Sequence, residues 1–298
     1  MANLRDIRRR IKSVKNTAQI TKAMQLVAAS KMKKAQDQAV SGRPYADLLN
    51  KVLVNLKEQA TEDDHPLLKE REGDRDLVIL VTTDRGLCGA LNTNLLRLVS
   101  EHEEGNTTYV TIGSKGRQHI ARVNKELLAD FTVADPVTFA ETKQVSEFLI
   151  EKFLSGEYDR VKVGFTNFIN TMSQESMLET LLPIRPIDLG RDSSFVGVGR
   201  EPEPVDVNTG PEYGGYIFEP NANAVLNTIV PQYVNYQLYQ MMLESRASEH
   251  SARMVAMKAA TDNAEDMIKD LTLVYNKQRQ AAITSELLEI TTAMRALE

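Results

Sequence analysis

The distribution of glycine and proline constrains this chain more than any other feature. All 15 glycines and all 10 prolines lie between Gly42 and Pro231, so residues 1–41 and 232–298 contain neither. Because these residues interrupt helices most strongly, two long helices are predicted around a punctuated middle. The C-terminal stretch alone would span roughly 100 Å as a helix, whereas a compact chain of this length has a radius of gyration of roughly 19 Å. We therefore expect this helix to project and to be met by another protein.

Both long stretches carry the apolar repeat of a coiled coil, with alternating steps of three and four residues. The N-terminal seam reads Leu4, Ile7, Ile11, Val14, Ala18 and Thr21, then shifts to Met24, Val27, Ala28, Met32 and Ala35. The C-terminal seam reads Met241, Ser245, Ser248, Ala252, Val255 and Ala259, then, after a phase slip, Met267, Leu271, Val274, Gln278, Ala281, Ser285 and Leu288. The two helices are predicted to form an antiparallel coiled coil, with a break or kink at residues 41–44.

The middle of the chain alternates between strand and helix patterns. Short apolar runs predict strands at residues 77–82, 109–112 and 160–168, and helical spacing predicts helices at 91–101, after 113–116, and at 141–154. Alternating strands and helices indicate an α/β domain with a mainly parallel, Rossmann-like sheet. The predicted organisation is an N-terminal helix (1–58), a linker (59–76), the α/β domain (77–220) and a C-terminal helix (221–298). Within the domain, an exposed loop is expected at 190–215 and a possible edge strand at 216–218.

The sequence offers few residues for catalysis. Gly86 and Gly89 follow the first predicted strand, but they lack the G-x-G-x-x-G spacing of a dinucleotide site. Cys88 is either a nucleophile at a helix start or, the preferred reading, a small packing residue. The four histidines show no ligand spacing, so no metal and no cofactor is predicted. An α/β nucleotide-binding enzyme with coiled-coil arms stays open as the alternative.

Charge is unevenly distributed along a chain of net charge −5. Residues 1–40 are strongly basic, because only Asp6 and Asp37 oppose their lysines and arginines. Such a stripe favours an acidic or polyanionic partner. Residues 1–44 contain no aromatic side chain that could stack on a base. A protein partner is therefore preferred to a nucleic acid, although a nucleic-acid scaffold is a second alternative.

Five sequence strings resemble the gamma subunit of rotary (F-type) ATP synthase, in the order that this family shows. They are Ile20-Thr21-Lys22-Ala23-Met24 with Val27-Ala28-Ala29-Ser30-Lys31-Met32; Thr83-Asp84-Arg85-Gly86-Leu87-Cys88-Gly89; Phe168-Ile169-Asn170-Thr171-Met172-Ser173-Gln174; Ser251-Ala252-Arg253-Met254-Val255-Ala256-Met257-Lys258-Ala259-Ala260-Thr261-Asp262-Asn263-Ala264; and Tyr275-Asn276-Lys277-Gln278-Arg279-Gln280-Ala281-Ala282-Ile283-Thr284. The resemblance covers essentially the whole chain.

The resemblance implies a non-catalytic rotor subunit in the central stalk of a proton-translocating ATP synthase. Its expected partners are a ring of three alpha and three beta subunits, the epsilon subunit and the membrane ring of c subunits. The expected location is the cytoplasmic face of the bacterial inner membrane, reached only through the complex. The residues implied to contact the catalytic ring are Met24, Arg253, Arg279, Gln280, Thr284 and Glu286. With Cys88 as the single cysteine, the redox switch of the chloroplast members is not expected.

Overall fold

The computed structural model describes residues 4–57, 65–103, 105–184, 219 and 221–297. The helices are α1 (Leu4–Lys57), α2 (Leu91–Glu101), α3 (Ser114–Arg122), α4 (Phe139–Leu154) and α5 (Ala222–Leu297). The strands are β1 (Arg75–Val81), β2 (Asn106–Ile112), β3 (Leu127–Phe131), β4 (Arg160–Phe168) and β5 (Gln174–Leu182). The chain forms two compact units: a helical unit of Met1–Ala28 with Arg253–Glu298, and a sheet unit of Ala29–Ala252.

The sheet unit is built on five strands in the order β3-β2-β1-β4-β5. Strands β1 to β4 pair in parallel, and β5 pairs antiparallel with β4. The parallel part, 3-2-1-4, has the strand order of a doubly wound fold. This confirms the predicted Rossmann-like α/β domain.

Strand β1 is buried on both faces, as its continuous apolar run predicts. Leu77 and Ile79 belong to the larger core cluster, which includes side chains of α4 and α5. Val78 and Leu80 belong to a second cluster with α2 and α3. Burying each Leu or Ile side chain contributes about 1.5–3 kcal/mol. Helix α4 begins at a capping box, in which Thr138 and Glu141 satisfy each other's backbone N–H groups.

Several predicted boundaries differ from the structure. Strand β4 matches its prediction, but β1 begins at Arg75, inside the stretch assigned to the 59–76 linker. Strands β3 and β5 were not predicted from the sequence; β3 has five residues, and most residues of both are only half-buried, which weakens the alternation of apolar and polar residues. The 190–215 loop and the strand at 216–218 lie outside the described residues.

Of the predicted break or kink at residues 41–44, the break is wrong, because α1 continues as a helix through Pro44. A proline inside a helix costs about 3 kcal/mol or more. This stretch packs against α5: the Tyr236 hydroxyl donates to the Gly42 carbonyl at 3.3 Å, and the Tyr45 and Tyr236 rings lie 5.6 Å apart. Within the described part of the chain, no helix is long and apolar enough to cross a membrane.

Candidate functional site

The helical unit pairs the start of α1 with the C-terminal part of α5. Along α1, Ile7, Thr21 and Ala28 are buried, and the intervening positions Leu4, Ile11, Val14 and Ala18 are half-buried. The first six positions of the predicted seam are thereby confirmed. Val27, which was assigned to the shifted seam, is instead 57% exposed.

In the helical unit, part of the α5 seam is shifted by one residue along the sequence from its predicted position. From Met257 onward, the buried or half-buried positions are Met257, Ala260, Thr261, Ala264, Ile268, Leu271, Tyr275, Gln278 and Ala282. Leu271 and Gln278 are placed as predicted, whereas Met267, Val274 and Ala281 are exposed neighbours of the seam, and Ala259, Ser285 and Leu288 are exposed as well. The predicted repeat lost its phase because the seam includes the polar Thr261 and the amphipathic Tyr275, which a pattern of apolar residues does not contain.

Two contacts set the register between the paired helices. The hydroxyls of Thr21 and Thr261 lie 2.7 Å apart, and both residues are buried. The Arg8 guanidinium donates to the Tyr275 hydroxyl, and its Cζ lies 5.5 Å from the ring centroid. The partner number falls from 275 to 261 as the α1 number rises from 8 to 21. The helices are therefore antiparallel, as predicted.

The predicted contact residues all lie in the helical unit. Met24 and Arg253 are half-buried. The remaining four, Arg279, Gln280, Thr284 and Glu286, are exposed. Thr284 Oγ1 donates to the Gln280 backbone carbonyl at 2.9 Å, so these two residues share a helix face.

The last described turns of α5 expose large apolar side chains. Every residue from 283 to 295 is exposed; we call this segment the apolar tip. Its large apolar residues and their exposed fractions are Ile283 49%, Leu287 58%, Leu288 60%, Ile290 57% and Met294 63%. Isolated helices draw most of their stability from packing, and contiguous exposed apolar surface marks an interaction site.

The carboxyl edge of the sheet, where α/β proteins bind phosphates, is occupied by the chain itself. The first backbone N–H groups of α3 donate to Asp84 Oδ1 at 3.0 Å, to the Thr83 carbonyl at 3.1 Å and to Thr82 Oγ1 at 2.8 Å. These are the groups that a phosphate would need at a helix N-terminus. A Cβ on Gly113 would lie 2.2 Å from the Thr82 carbonyl oxygen. The glycine therefore permits close packing of the chain and does not form a phosphate cradle.

Cys88 is a packing residue in this structure. It is 2% exposed, and the Asn92 amide donates to its Sγ at 3.5 Å. The same amide donates to Thr83 Oγ1 at 2.8 Å, so the loop after β1 is internally bonded. Among the residues that the structure describes, no group of three or more His, Cys, Asp or Glu side chains could hold a metal ion.

Comparison with known proteins gives a consistent result over the whole chain. A family model described as ATP synthase matches residues 3–297. The ATP synthase gamma chain of Akkermansia muciniphila is 50% identical over 298 residues, which is 100% of both chains. That of Opitutus terrae is 49% identical over 297 residues, or 99% of each chain.

Two solved structures share the fold. The rotor of the Euglena gracilis mitochondrial ATP synthase has a TM-score of 0.64 at 21% identity, covering 94% of this chain and 98% of that one. The central stalk and c-ring structure of the Tetrahymena thermophila mitochondrial enzyme has a TM-score of 0.60 at 24% identity, covering 81% and 99%. With its antiparallel helix pair, its Rossmann-like domain and relatives of up to half-identical sequence, this chain belongs to the ATP synthase gamma chain family, the central-stalk rotor subunits of that enzyme.

Proposed function

We propose that the helical unit is a shaft that turns inside a ring of three alpha and three beta subunits, and that its rotation couples proton flow to ATP synthesis and hydrolysis. The observation that carries this proposal is the apolar tip. A lone helix exposing Leu287, Leu288 and Ile290 is unfavourable in water, and an apolar sleeve formed by the ring would cover it. Arg279, Gln280, Thr284 and Glu286 lie just before or within the tip and would contact the same ring.

Lower on the shaft, Met24 and Arg253 are proposed to face acidic loops of the beta subunits. The basic stripe of α1 supports this pairing, since Arg5, Arg9 and Arg10 are exposed beside the seam. Opposite charges on shaft and ring would orient the subunit in the ring without a permanent bond, because exposed ion pairs contribute only about 0–1 kcal/mol each. Such weak contacts can be exchanged at every rotational step.

The sheet unit is proposed to contact the epsilon subunit and the membrane ring of c subunits. The complex would lie on the cytoplasmic face of a bacterial inner membrane, and the bacterial origin of the two relatives described above supports this location. Nucleotide chemistry is assigned to the partner subunits. The internally bonded start of α3 supports that assignment, because its N–H groups already have acceptors.

Reconstitution tests the proposal. The chain is mixed with alpha and beta subunits of the same organism, the complex is purified, and its stoichiometry and ATP hydrolysis are measured. We expect one copy per three alpha–beta pairs and hydrolysis that depends on this chain. Failure to join the ring, or hydrolysis by the chain alone, would contradict the proposal; the second result would favour the nucleotide-binding enzyme.

A further inference from the structure

One segment of α5 in the sheet unit is buried around its entire circumference. All residues from 241 to 251 are less than 9% exposed, which is about three helical turns. A helix on a protein surface normally keeps one polar face in water. This segment, which we call the collared segment, is therefore enclosed on all sides.

The collared segment is polar as well as buried, and its side chains bond to the sheet. Ser248 Oγ donates to the Thr166 carbonyl at 3.0 Å, and Ser251 Oγ donates to the Thr171 carbonyl at 2.8 Å. Both acceptors lie on β4 or in the turn that follows it. Because each bond joins one residue of the helix to one carbonyl, the two bonds fix the position of α5 along its axis relative to β4.

On another side, the segment meets the loop between β3 and α4. The Arg246 guanidinium donates to the Val133 carbonyl at 3.3 Å and to Glu249 Oε2 at 2.8 Å. Asp135, in the same loop, lies with its Oδ2 3.4 Å from Nε2 of His250, which is 3% exposed. The loop therefore contacts the collared segment through both backbone and side chain.

Asp135 also contacts the other long helix. Its Oδ2 accepts a bond of 2.6 Å from Nζ of Lys31 on α1. One carboxylate thus joins α1, α5 and the sheet unit's own loop. The contacts with His250 and then Lys31 lower the pKa of Asp135, so the group is a carboxylate at neutral pH.

We propose that Asp135 is a positioning residue that holds both long helices in register on the sheet unit, so that torque passes from this unit into the helices without slip. This inference rests on the proposed rotor function. Burial of the collared segment resists its withdrawal, whereas the Asp135 contacts resist rotation of either helix relative to the loop. A weaker link would allow turnovers in which ATP is hydrolysed and no proton is moved.

The test uses the whole ATP synthase in lipid vesicles and compares ATP hydrolysis with ATP-driven proton uptake. The variant Asp135→Asn keeps the size of the side chain and removes its charge. We expect its hydrolysis rate to stay near that of the parent while the slip frequency rises at least about fivefold, the effect of loosening one link by about 1 kcal/mol. Thermal unfolding of the purified variant checks that it is folded.

The control is Asp130→Asn, which removes a carboxylate of similar exposure within the sheet unit. Asp130 accepts from Arg117 at 2.9 Å and from Thr111 at 2.6 Å, and neither partner is on a long helix. This variant should leave proton uptake per ATP unchanged. An equal loss of proton uptake per ATP in both variants, or no such loss in Asp135→Asn, would overturn the role proposed for Asp135.

Two further variants separate positioning from general stability. Lys31→Met removes the link to α1 and His250→Gln weakens the link to α5, so each should raise slip less than Asp135→Asn. The double variant Lys31→Met/His250→Gln should show the same slip frequency as Asp135→Asn. Adding Asp135→Asn to this double variant should not raise the slip frequency further. A further rise in slip when Asp135→Asn is added to the pair would contradict a shared node. If the parent complex itself fails to hydrolyse ATP or move protons, the proposed function fails, and not this inference.

Discussion

Gly113, at the junction of β2 and α3, offers a test of how the end of the sheet is built. Its φ is +98°, and an added Cβ would lie 2.2 Å from the carbonyl oxygen and 2.8 Å from the carbonyl carbon of Thr82. An alanine at such a φ costs about 1–3 kcal/mol of backbone strain. The clash adds to this, because its partner is the backbone of buried Thr82, directly after β1, and has no rotamer to change. We expect Gly113→Ala to destabilise the sheet unit by about 3 kcal/mol or more.

Amide hydrogen exchange of β1 and β2 measures this loss directly, since opening free energy sets the exchange rate. A loss of about 3 kcal/mol corresponds to exchange faster by more than about a hundredfold. Gly156→Ala separates the two causes: its φ is +79° but an added Cβ meets nothing within 4 Å, so only strain remains. Gly86→Ala, with open space and no positive φ, should be nearly neutral. Exchange in Gly113→Ala no faster than in Gly156→Ala would refute the packing argument.

Three further predictions concern the helices and their links. Met24→Lys should add an ion pair of about 1 kcal/mol with the ring and act as a brake, seen as less proton transport per ATP hydrolysed; intact coupling would contradict it. Because Asp135 has a lowered pKa, its contribution to stability is complete above the ordinary value of 3.8 and is lost as pH falls below it. The thermal-stability advantage of the parent over Asp135→Asn should therefore shrink below about pH 4; a constant difference would exclude the carboxylate as its source. Thr261→Val alone should cost about 1 kcal/mol in thermal unfolding, because the buried bond between the two hydroxyls is lost. Adding Thr21→Val should cost less than Thr21→Val does alone, since both changes remove that same bond; full additivity would contradict it.

Local sequence was sufficient for the elements that repeat or stay apolar. The absence of glycine and proline after Pro231 predicted most of α5, which begins earlier and includes this proline. The continuous apolar run at 77–81 predicted β1 as a buried strand. Both signals depend on one segment alone. A helix needs an uninterrupted series of backbone hydrogen bonds, and a strand buried on both faces needs apolar residues throughout. The prediction of Met24 and Arg253 as contact residues came from the family resemblance, and the structure places both half-buried in the helical unit.

Tertiary structure decided what depends on partners distant in sequence. Helix α1 passes through Pro44, where Tyr236, far along the chain, packs beside the neighbouring residues Gly42 and Tyr45. The α5 seam takes its phase from Thr261 because the buried hydroxyl of Thr21 lies opposite. Asp135 is an ordinary loop carboxylate until folding brings Lys31, 104 residues away, to its side. Periodicity records which face of a segment is buried, but only the folded packing determines which polar groups meet there, because a polar group is buried at low cost only beside its partner.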